Sequence, residues 1–426
     1  MTAVCAIDFG TSNSAIALPT DSGVRLVELE PGQRTMPTAV FYAVEGLASF
    51  EDPHRHYGRA AVAAYVEGVE GRLMRSMKSI LGSTLAQQAT DIGAGRSVRY
   101  LDVVSGYLQH LKTLAERQAG QALKRAVLGR PVFFVDDAPE RDAAAQAALT
   151  QAARSVGFDE ISFQYEPIAA ALDYESTIAQ EQLVLVADIG GGTSDFSLVR
   201  VGPQRRARID RQDDILANHG VHIAGTDFDR HIELGHVLPV CGFKASGPSG
   251  REVPSKVYFD LATWHLINTV YGPARVAELA RMKSFYDDVG QHARLMTVVQ
   301  QRLGHALIGQ AEAAKIAVAE GGQTQIDLAA LQPGLRVALD EAQAITALSA
   351  DLDRIALAAD QTLAQAGLAR ERVDALYFTG GSTGLRPLVE RIAARFPAAK
   401  PMRGDRFASV AQGLGLHAQR VFGAKA

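Results

Sequence analysis

The chain has 426 residues, 47% of them hydrophobic and 21% charged, which excludes a disordered or fibrous protein and, at about 100 to 200 residues per domain, implies two or three compact units. Its 43 Lys and Arg against 47 Asp and Glu leave a net charge of −4 with no long run of one sign, so neither composition nor patterning points to a nucleic-acid partner. Two cysteines, Cys5 and Cys241, imply no disulfide framework, and the absence of a basic n-region or of about 18 consecutive apolar residues argues against a membrane partner and makes a cytoplasmic location the expectation.

The opening reads as a β-meander: Val4 to Ile7, then Ser14 to Leu18 after a turn containing Gly10, then Val24 to Leu29, then Pro37 to Tyr42. Helical patterning follows from Arg59 to Leu81 and from Val103 to Arg117, then a strand from Val132 to Val135 and a helix from Pro139 to Val156. After the strand Ile161 to Tyr165, Glu166-Pro167 places a proline where a helix, Ile168 to Tyr174, begins. The segment Leu183 to Val201 then repeats the opening logic of strand, Asp-x-Gly turn and strand. Ala6-Ile7-Asp8-Phe9-Gly10-Thr11-Ser12 matches Ala187-Asp188-Ile189-Gly190-Gly191-Gly192-Thr193-Ser194, with Asp8 and Asp188 lying 180 residues apart. That spacing is far beyond solenoid repeats and predicts two similar lobes. Residues 235 to 325 read as a helical insertion in the second lobe. The chain returns to strand, turn and helix through Ala375 to Phe378, Gly380-Gly381 and Leu385 to Phe396, and closes with a helix from Val410 to Val421.

The paired Asp-x-Gly hairpins carry the chemistry. Glycines let backbone N–H groups approach a polyphosphate, and the adjoining Thr and Ser hydroxyls add donors. A carboxylate at the end of each preceding strand suits Mg²⁺, which keeps most of its waters. One such hairpin alone is also an ordinary β-turn; the second, with three consecutive glycines, is much harder to explain that way.

Five motifs in order, Ile7 to Ser14, Glu166-Pro167-Ile168-Ala169-Ala170-Ala171-Leu172, Asp188 to Asp195, Gly225-Thr226-Asp227-Phe228-Asp229 and Gly380-Gly381-Ser382-Thr383, resemble the actin-like ATPases, and within them the nucleotide-binding domain of the DnaK-type (seventy-kilodalton heat-shock) chaperones. A shorter, YegD-like branch is the nearest resemblance. It implies a two-lobe α/β fold, each lobe a five-stranded mixed sheet flanked by helices, with ATP or ADP and Mg²⁺ in the cleft between. Residues 1–177 would form lobe I, completed by a C-terminal helix over 405–426, and 178–404 would form lobe II. By the same resemblance Asp8 and Asp188 organise hydrated Mg²⁺, and Gly10, Thr11, Ser12, Asn13, Gly190, Gly191, Gly192 and Thr193 surround the phosphates. Glu166 and Asp195 orient the attacking water. Glu312 and Lys315 contact the adenosine, Gly380, Gly381 and Ser382 close over the other side of the nucleoside, and Gly225 and Thr226 also belong to the nucleotide-binding set. On spacing alone, Glu312 and Lys315 are equally a surface ion pair on one helix face.

Other patterns compete. Gly380-Gly381-Ser382-Thr383-Gly384 fits G-x-S-x-G, with Asp405 and His417 following in the order of a serine hydrolase, yet only 44 residues follow Ser382. Gly413-Leu414-Gly415-Leu416-His417-Ala418 fits G-x-G-x-x-A but has no preceding strand, so these glycines are expected to let the last helix pack closely at the hinge. His231 and His236, and His54 and His56, lack zinc-ligand spacing and read as surface residues. Arg205, Arg206, Arg208 and Arg211 read as a solvated strand face.

Two departures from the family bear on function. Aligning Tyr57-Gly58-Arg59-Ala60-Ala61-Val62 with the family's Gly-x-Ala-Ala-Lys segment puts Val62 where a lysine stands near the γ-phosphate, with Arg59 the nearest substitute. Beyond Val421 the sequence shows neither the leucine-rich linker nor a peptide-binding domain. The expectation is an ATP-binding switch with slow or conditional ATP hydrolysis, chaperone-like or regulatory, acting with an unidentified protein partner. The alternatives are a nucleotide-gated scaffold without turnover and a hydrolase using Ser382.

Overall fold

A computed structural model describes residues 3–47, 51–135, 138–248, 250–405 and 408–423. Its two principal sheets share a five-stranded pattern, built from β1 (Val4–Phe9), β2 (Asn13–Thr20), β3 (Gly23–Leu26), β4 (Arg125–Arg130) and β5 (Glu160–Tyr165) in one and β6 (Gln182–Ile189), β7 (Ser194–Val201), β8 (Ile215–Val221), β9 (Ala375–Thr379) and β10 (Lys400–Arg403) in the other. The first sheet has the order β5-β4-β1-β2-β3 and the second β10-β9-β6-β7-β8. In both, the first and second strands of the repeat and the second and third pair antiparallel, while the first, fourth and fifth run parallel. The duplication read from two hairpins thus extends to whole mixed sheets, and the fold is the two-lobe actin-like architecture. The strand Thr35–Pro37 adds to the first sheet beside β2.

Strand periodicity decides where the aspartates go. Successive strand side chains alternate between faces. Val4 and Ala6 in β1, and Val184 and Val186 in β6, belong to one apolar layer between the sheets; the next residue on each of those faces is Asp8 or Asp188. That layer is filled by the helices Glu166–Thr177 and Ser409–Phe422, which contribute Ile168 to Leu172 and Val410, Ala411, Leu414 and Ala418. The two helices touch so closely that a Cβ on Gly413 would lie 1.8 Å from the Ala169 carbonyl oxygen. Close packing was the role expected for this glycine. The last helix also links the sheets, because Ser409 at its start hydrogen-bonds Thr379 of β9 (2.6 Å) while its body packs on β1, β2 and β4. Residues 406–407 and 424–426 of the expected 405–426 segment lie outside the described residues.

Several expected elements are corrected. The helix expected from Arg59 to Leu81 is instead a helix Gly58–Val66, a strand Gly71–Arg75 and a 3-10 turn Met77–Ile80; Gly68, at φ +78°, adopts a left-handed conformation that ends the helix. The strand expected at Val132 to Val135 is β4, beginning at Arg125 and ending before Pro131, which lacks the N–H a ladder needs. Pro37 to Tyr42 divides at Thr38: Ala39–Ala43 leaves the meander to pair with His54–Tyr57 and Gly71–Arg75 in a separate three-stranded sheet. With helix Gly58–Val66 that sheet encloses a small core of Ala39, Phe41, Ala61 and Ala64. The four arginines form no solvated face either. They lie between β7 and β8, where Arg211 is buried against Glu175 and Asp214 while Arg205 and Arg208 also meet Asp214.

Candidate functional site

Each Asp-x-Gly hairpin leaves its strand with the same four-residue loop, 10–13 between Phe9 and Ser14 and 190–193 between Ile189 and Ser194. Glycine is required at position 10 because a Cβ there would stand 2.2 Å from the Asn13 carbonyl oxygen. Thr38 braces this first turn, its N–H donating to the Ser12 carbonyl (2.9 Å) and its hydroxyl to that of Gly10 (2.8 Å). The second turn is braced from behind. Gly190 O accepts from the Ser382 hydroxyl (2.7 Å) and the Gly225 N–H (3.3 Å), and Gly191 O from both the N–H and the hydroxyl of Thr226 (2.8 Å each). Because N–H and C=O of a trans peptide point oppositely, these bonds turn the Gly191 and Gly192 N–H groups away from their braces. The two hairpins face one another: a Cβ on Gly191 would lie 3.0 Å from the Ser12 hydroxyl oxygen.

The expected carboxylates converge here. Glu166, at the first position of its helix, fits beneath because Gly129 of β4 leaves room; a Cβ there would approach the Glu166 carboxylate to 3.2 Å. Asp195 lies opposite Asp188 in the β6–β7 register and accepts from the Thr193 hydroxyl (2.8 Å). Burial first, then the Glu166 carboxylate, push the Asp8 carboxyl up to about 8; burial first, then Asp195 and Glu166, push Asp188 up to about 7.

One cation opposes this charge, and it was not among the expected site residues. Lys78, buried on the turn Met77–Ile80, pairs with Glu166 and draws the Asp8 and Asp188 carboxyls back down. The inference from Val62 is therefore overturned. Val62 packs on the small core of the three-stranded unit, the site does possess a buried ammonium, and Arg59 is engaged with Glu30 and the Thr35 carbonyl. The signal in the sequence was a lone lysine in Met77-Lys78-Ser79-Ile80-Leu81-Gly82, absorbed into one overlong helix.

Among the residues expected at the nucleoside, Lys315 of helix Gly304–Ala317 binds Asp229 (2.6 Å) and reaches the Gly225 carbonyl (3.5 Å). Spacing left Glu312 and Lys315 readable as a surface pair with each other; Lys315 instead partners Asp229, while Glu312 is exposed one turn away. Gly380, at φ +87°, passes so close to β6 that a Cβ would lie 2.4 Å from the Ile189 carbonyl oxygen and 2.7 Å from Asp188. Ser382, in the turn Gly381–Gly384, spends its hydroxyl on Gly190, whereas His417 is buried beside Gln164 (3.1 Å). A serine–histidine couple does not form, and the hydrolase reading falls.

Among the described residues no helix is long and apolar enough to cross a membrane. A family model described as "Hsp70 protein" matches residues 4–237. Similar curated proteins include the "Chaperone protein DnaK" of Thermosipho melanesiensis, 27% identical over 373 residues that cover 81% of this chain and 58% of the relative. The "Chaperone protein DnaK" of Thermosipho africanus is 27% identical over 346 residues, covering 76% of this chain and 53% of the relative. The chain therefore spans between half and three fifths of the length of these relatives.

Proposed function

The chain belongs to the Hsp70 family, and we propose on that footing that it binds ATP and ADP with Mg²⁺ between its lobes and works as a nucleotide-dependent switch with slow or conditional ATP hydrolysis. The observation that carries this reading is the convergence of two facing glycine hairpins on Asp8, Asp188 and Glu166 around the ammonium of Lys78.

The donor set fits a divalent cation. Asp8, Asp188, Glu166 and Asp195 crowd one region against Lys78, and the neighbouring carboxylates add to burial in raising the Asp8 and Asp188 carboxyls, which a bound cation would offset. Among the described residues no three such groups converge as a direct ligand set, which suits Asp8 and Asp188 holding Mg²⁺ through its waters. When bound, such an ion offsets polyphosphate charge and polarises the phosphoryl group. The chain's own groups do the rest. Thr11, Ser12, Asn13 and the amides of Gly191, Gly192 and Thr193 bind phosphate oxygens; Lys78 supplies positive charge where the terminal phosphoryl charge develops. Glu166, oriented by Lys78, and Asp195, oriented by Thr193, hold and align the attacking water. Glu312, Lys315 and Gly380 to Ser382 enclose the nucleoside.

A switch read through its nucleotide state needs ATP to outlast the encounter with its reader, so turnover is slow and responds to a protein partner. Residues 1–177 with the C-terminal helix would move as one lobe and 178–404 as the other. Isothermal titration with ATP and ADP, with and without Mg²⁺, followed by single-turnover hydrolysis, tests the reading. Binding with slow turnover is the expected result. The absence of adenine-nucleotide binding would overturn it, and binding without any turnover would favour a nucleotide-gated scaffold.

A further inference from the structure

Helix Glu166–Thr177 brings Glu166 to the site at one end, and its other end is tied down by the arginine segment that no phosphate or nucleoside role accounts for. Glu175 stands nine residues on from Glu166, about 14 Å along the axis at the α-helical rise, and is fully buried. Its carboxylate accepts from Arg211 Nη2 (2.9 Å) and Nη1 (3.2 Å) and from the Gly202 N–H (3.0 Å). The Arg211 guanidinium, 1% exposed, also bonds Asp214, which is 0% exposed. Arg206 closes the same helix end, donating to the carbonyls of Glu175 (3.0 Å) and Ile178 (2.8 Å).

All of these donors belong to the second principal sheet. Gly202 directly follows β7, and Arg206, Arg211 and Asp214 lie in the connection from β7 to β8. Asp195 is the second residue of that same β7, at the end away from Gly202. Helix and strand are therefore joined at one end by a buried ion cluster and carry Glu166 and Asp195 at the other, where the charges of both bear on Asp188. An ion pair taken out of water stabilises little more than an apolar contact of equal volume. What a bidentate arginine–carboxylate pair adds is a fixed distance and direction. Over the length from Glu175 to Glu166, a tilt of about 4° carries the first residue of the helix about 1 Å across the site.

We propose that Arg211, acting through Glu175, is a positioning residue for hydrolysis: the buried cluster sets the separation of Glu166 and Asp195 and with it the alignment of the attacking water. The inference rests on the reading of Glu166 and Asp195 as the groups that hold that water. A misplacement of about 1 Å in a reacting group corresponds to about 10²-fold in rate. The hairpins and nucleoside residues that hold the nucleotide lie on other elements, so the cluster acts on turnover and not on affinity.

The experiment uses the full chain, with Mg·ATP affinity from calorimetry and single-turnover hydrolysis at saturation. Arg211→Lys keeps the charge and loses the fork, and Glu175→Gln keeps the shape and loses the charge. Each should slow hydrolysis by about 10- to 100-fold, with affinity unchanged within about 3-fold. In a Glu166→Gln background the same substitutions should cost less than about 2-fold, because effects that pass through one group are not additive. Arg206→Ala unties the helix end without opening the buried pair; it should slow hydrolysis in the same way and takes the place of either variant that does not fold. Rate and affinity falling together, an equal loss of rate in the Glu166→Gln background, or wild-type turnover in the folded variants would overturn the positioning role alone. Hydrolysis by Glu166→Gln at the wild-type rate would overturn the reading of Glu166 and the positioning role with it.

Discussion

Replacing Lys78 by methionine keeps a flexible apolar stem in a buried position and removes the ammonium that, among the described residues, opposes the charge of Asp8, Asp188 and Glu166. Loss of one preorganised electrostatic group from a phosphoryl-transfer site is worth about 2.7 to 4 kcal/mol, or about 10² to 10³ in rate. The structure adds a second effect of the same sign. Lys78 opposes the upward displacement of both aspartates, so its removal favours their protonated forms and weakens Mg²⁺-dependent binding at neutral pH. We expect single-turnover hydrolysis to fall by at least about 10² at saturating Mg·ATP, with part of the binding loss recovered above pH 8. Val62→Lys is the control. It inserts a lysine beside the core of the three-stranded unit, distant in function from the phosphates, and should not raise the rate. Hydrolysis at the wild-type rate in Lys78→Met, or acceleration by Val62→Lys, would refute the assignment.

Other outcomes follow from the same geometry. Asp8→Asn and Asp188→Asn should weaken nucleotide binding in Mg²⁺ far more than in EDTA, measured by calorimetry; equal losses would make these strand ends structural. Because the folded Asp8 and Asp188 carboxyls lie near 8 and 7, above their ordinary value of 3.8, the native state binds protons more tightly than the unfolded chain. Their contribution to stability is full below about pH 4 and disappears as pH rises through 7 to 8. Each unit of displacement is about 1.4 kcal/mol, so the melting temperature of metal-free protein should drop by several degrees between pH 6 and 8.5, and by less with Mg·ADP; a flat profile contradicts the proposed crowding. Gly413→Ala drives a methyl group into the Ala169 carbonyl at 1.8 Å and should cost about 1 to 3 kcal/mol or more in urea unfolding, whereas a null effect would mean that the helices separate freely. Ser382→Ala should abolish no esterase activity but loosen the second hairpin, by about 1 kcal/mol for the lost bond to Gly190.

The parts of the molecule that were legible in the sequence are those whose signal is local. Asp8-Phe9-Gly10 and Asp188-Ile189-Gly190 announce themselves because turn geometry needs glycine within a few residues of the functional side chain, and helix Pro139–Ser155 because its proline marks the start and Ala145, Ala148 and Ala152 keep the helical spacing. The parts that were not legible depend on distant partners. Strands β8 and β10 drew no expectation because they are sheet edges with few fully buried positions, and periodicity is weak where one side faces solvent. Lys78 was invisible for a related reason. A single lysine beside apolar residues gives the same pattern whether it snorkels to water or enters a cleft, and only the fold, by bringing residue 78 to residue 166, distinguishes the two.

Duplication explains the frame of the site but not its chemistry, which lies in the places where the copies differ. Aligned by register, Gly10 corresponds to Gly190, Thr11 and Ser12 to Gly191 and Gly192, and Ala15 to Asp195. Two identical hairpins carrying side chains at both inner positions would collide: the Ser12 hydroxyl already stands 3.0 Å from where a Cβ of Gly191 would be. One copy therefore offers hydroxyl donors and the other bare backbone, a division that suits the proposed sharing of one phosphate group. The position of Ala15 and Asp195 is asymmetric for a different reason. Ala15 is buried in the layer packed against the closing helices, where a carboxylate would be left desolvated, whereas Asp195 is exposed and tied to Thr193. Only the second copy offers a solvated place for a carboxylate at that register, which fits the water-orienting role proposed for Asp195, with Glu166 and Lys78 supplied from outside the repeat. A reciprocal exchange, Ala15→Asp with Asp195→Ala, should consequently fail to restore hydrolysis even in folded protein that still binds nucleotide. Recovery of turnover in that double variant would show that the copies are chemically interchangeable and that the asymmetry is incidental.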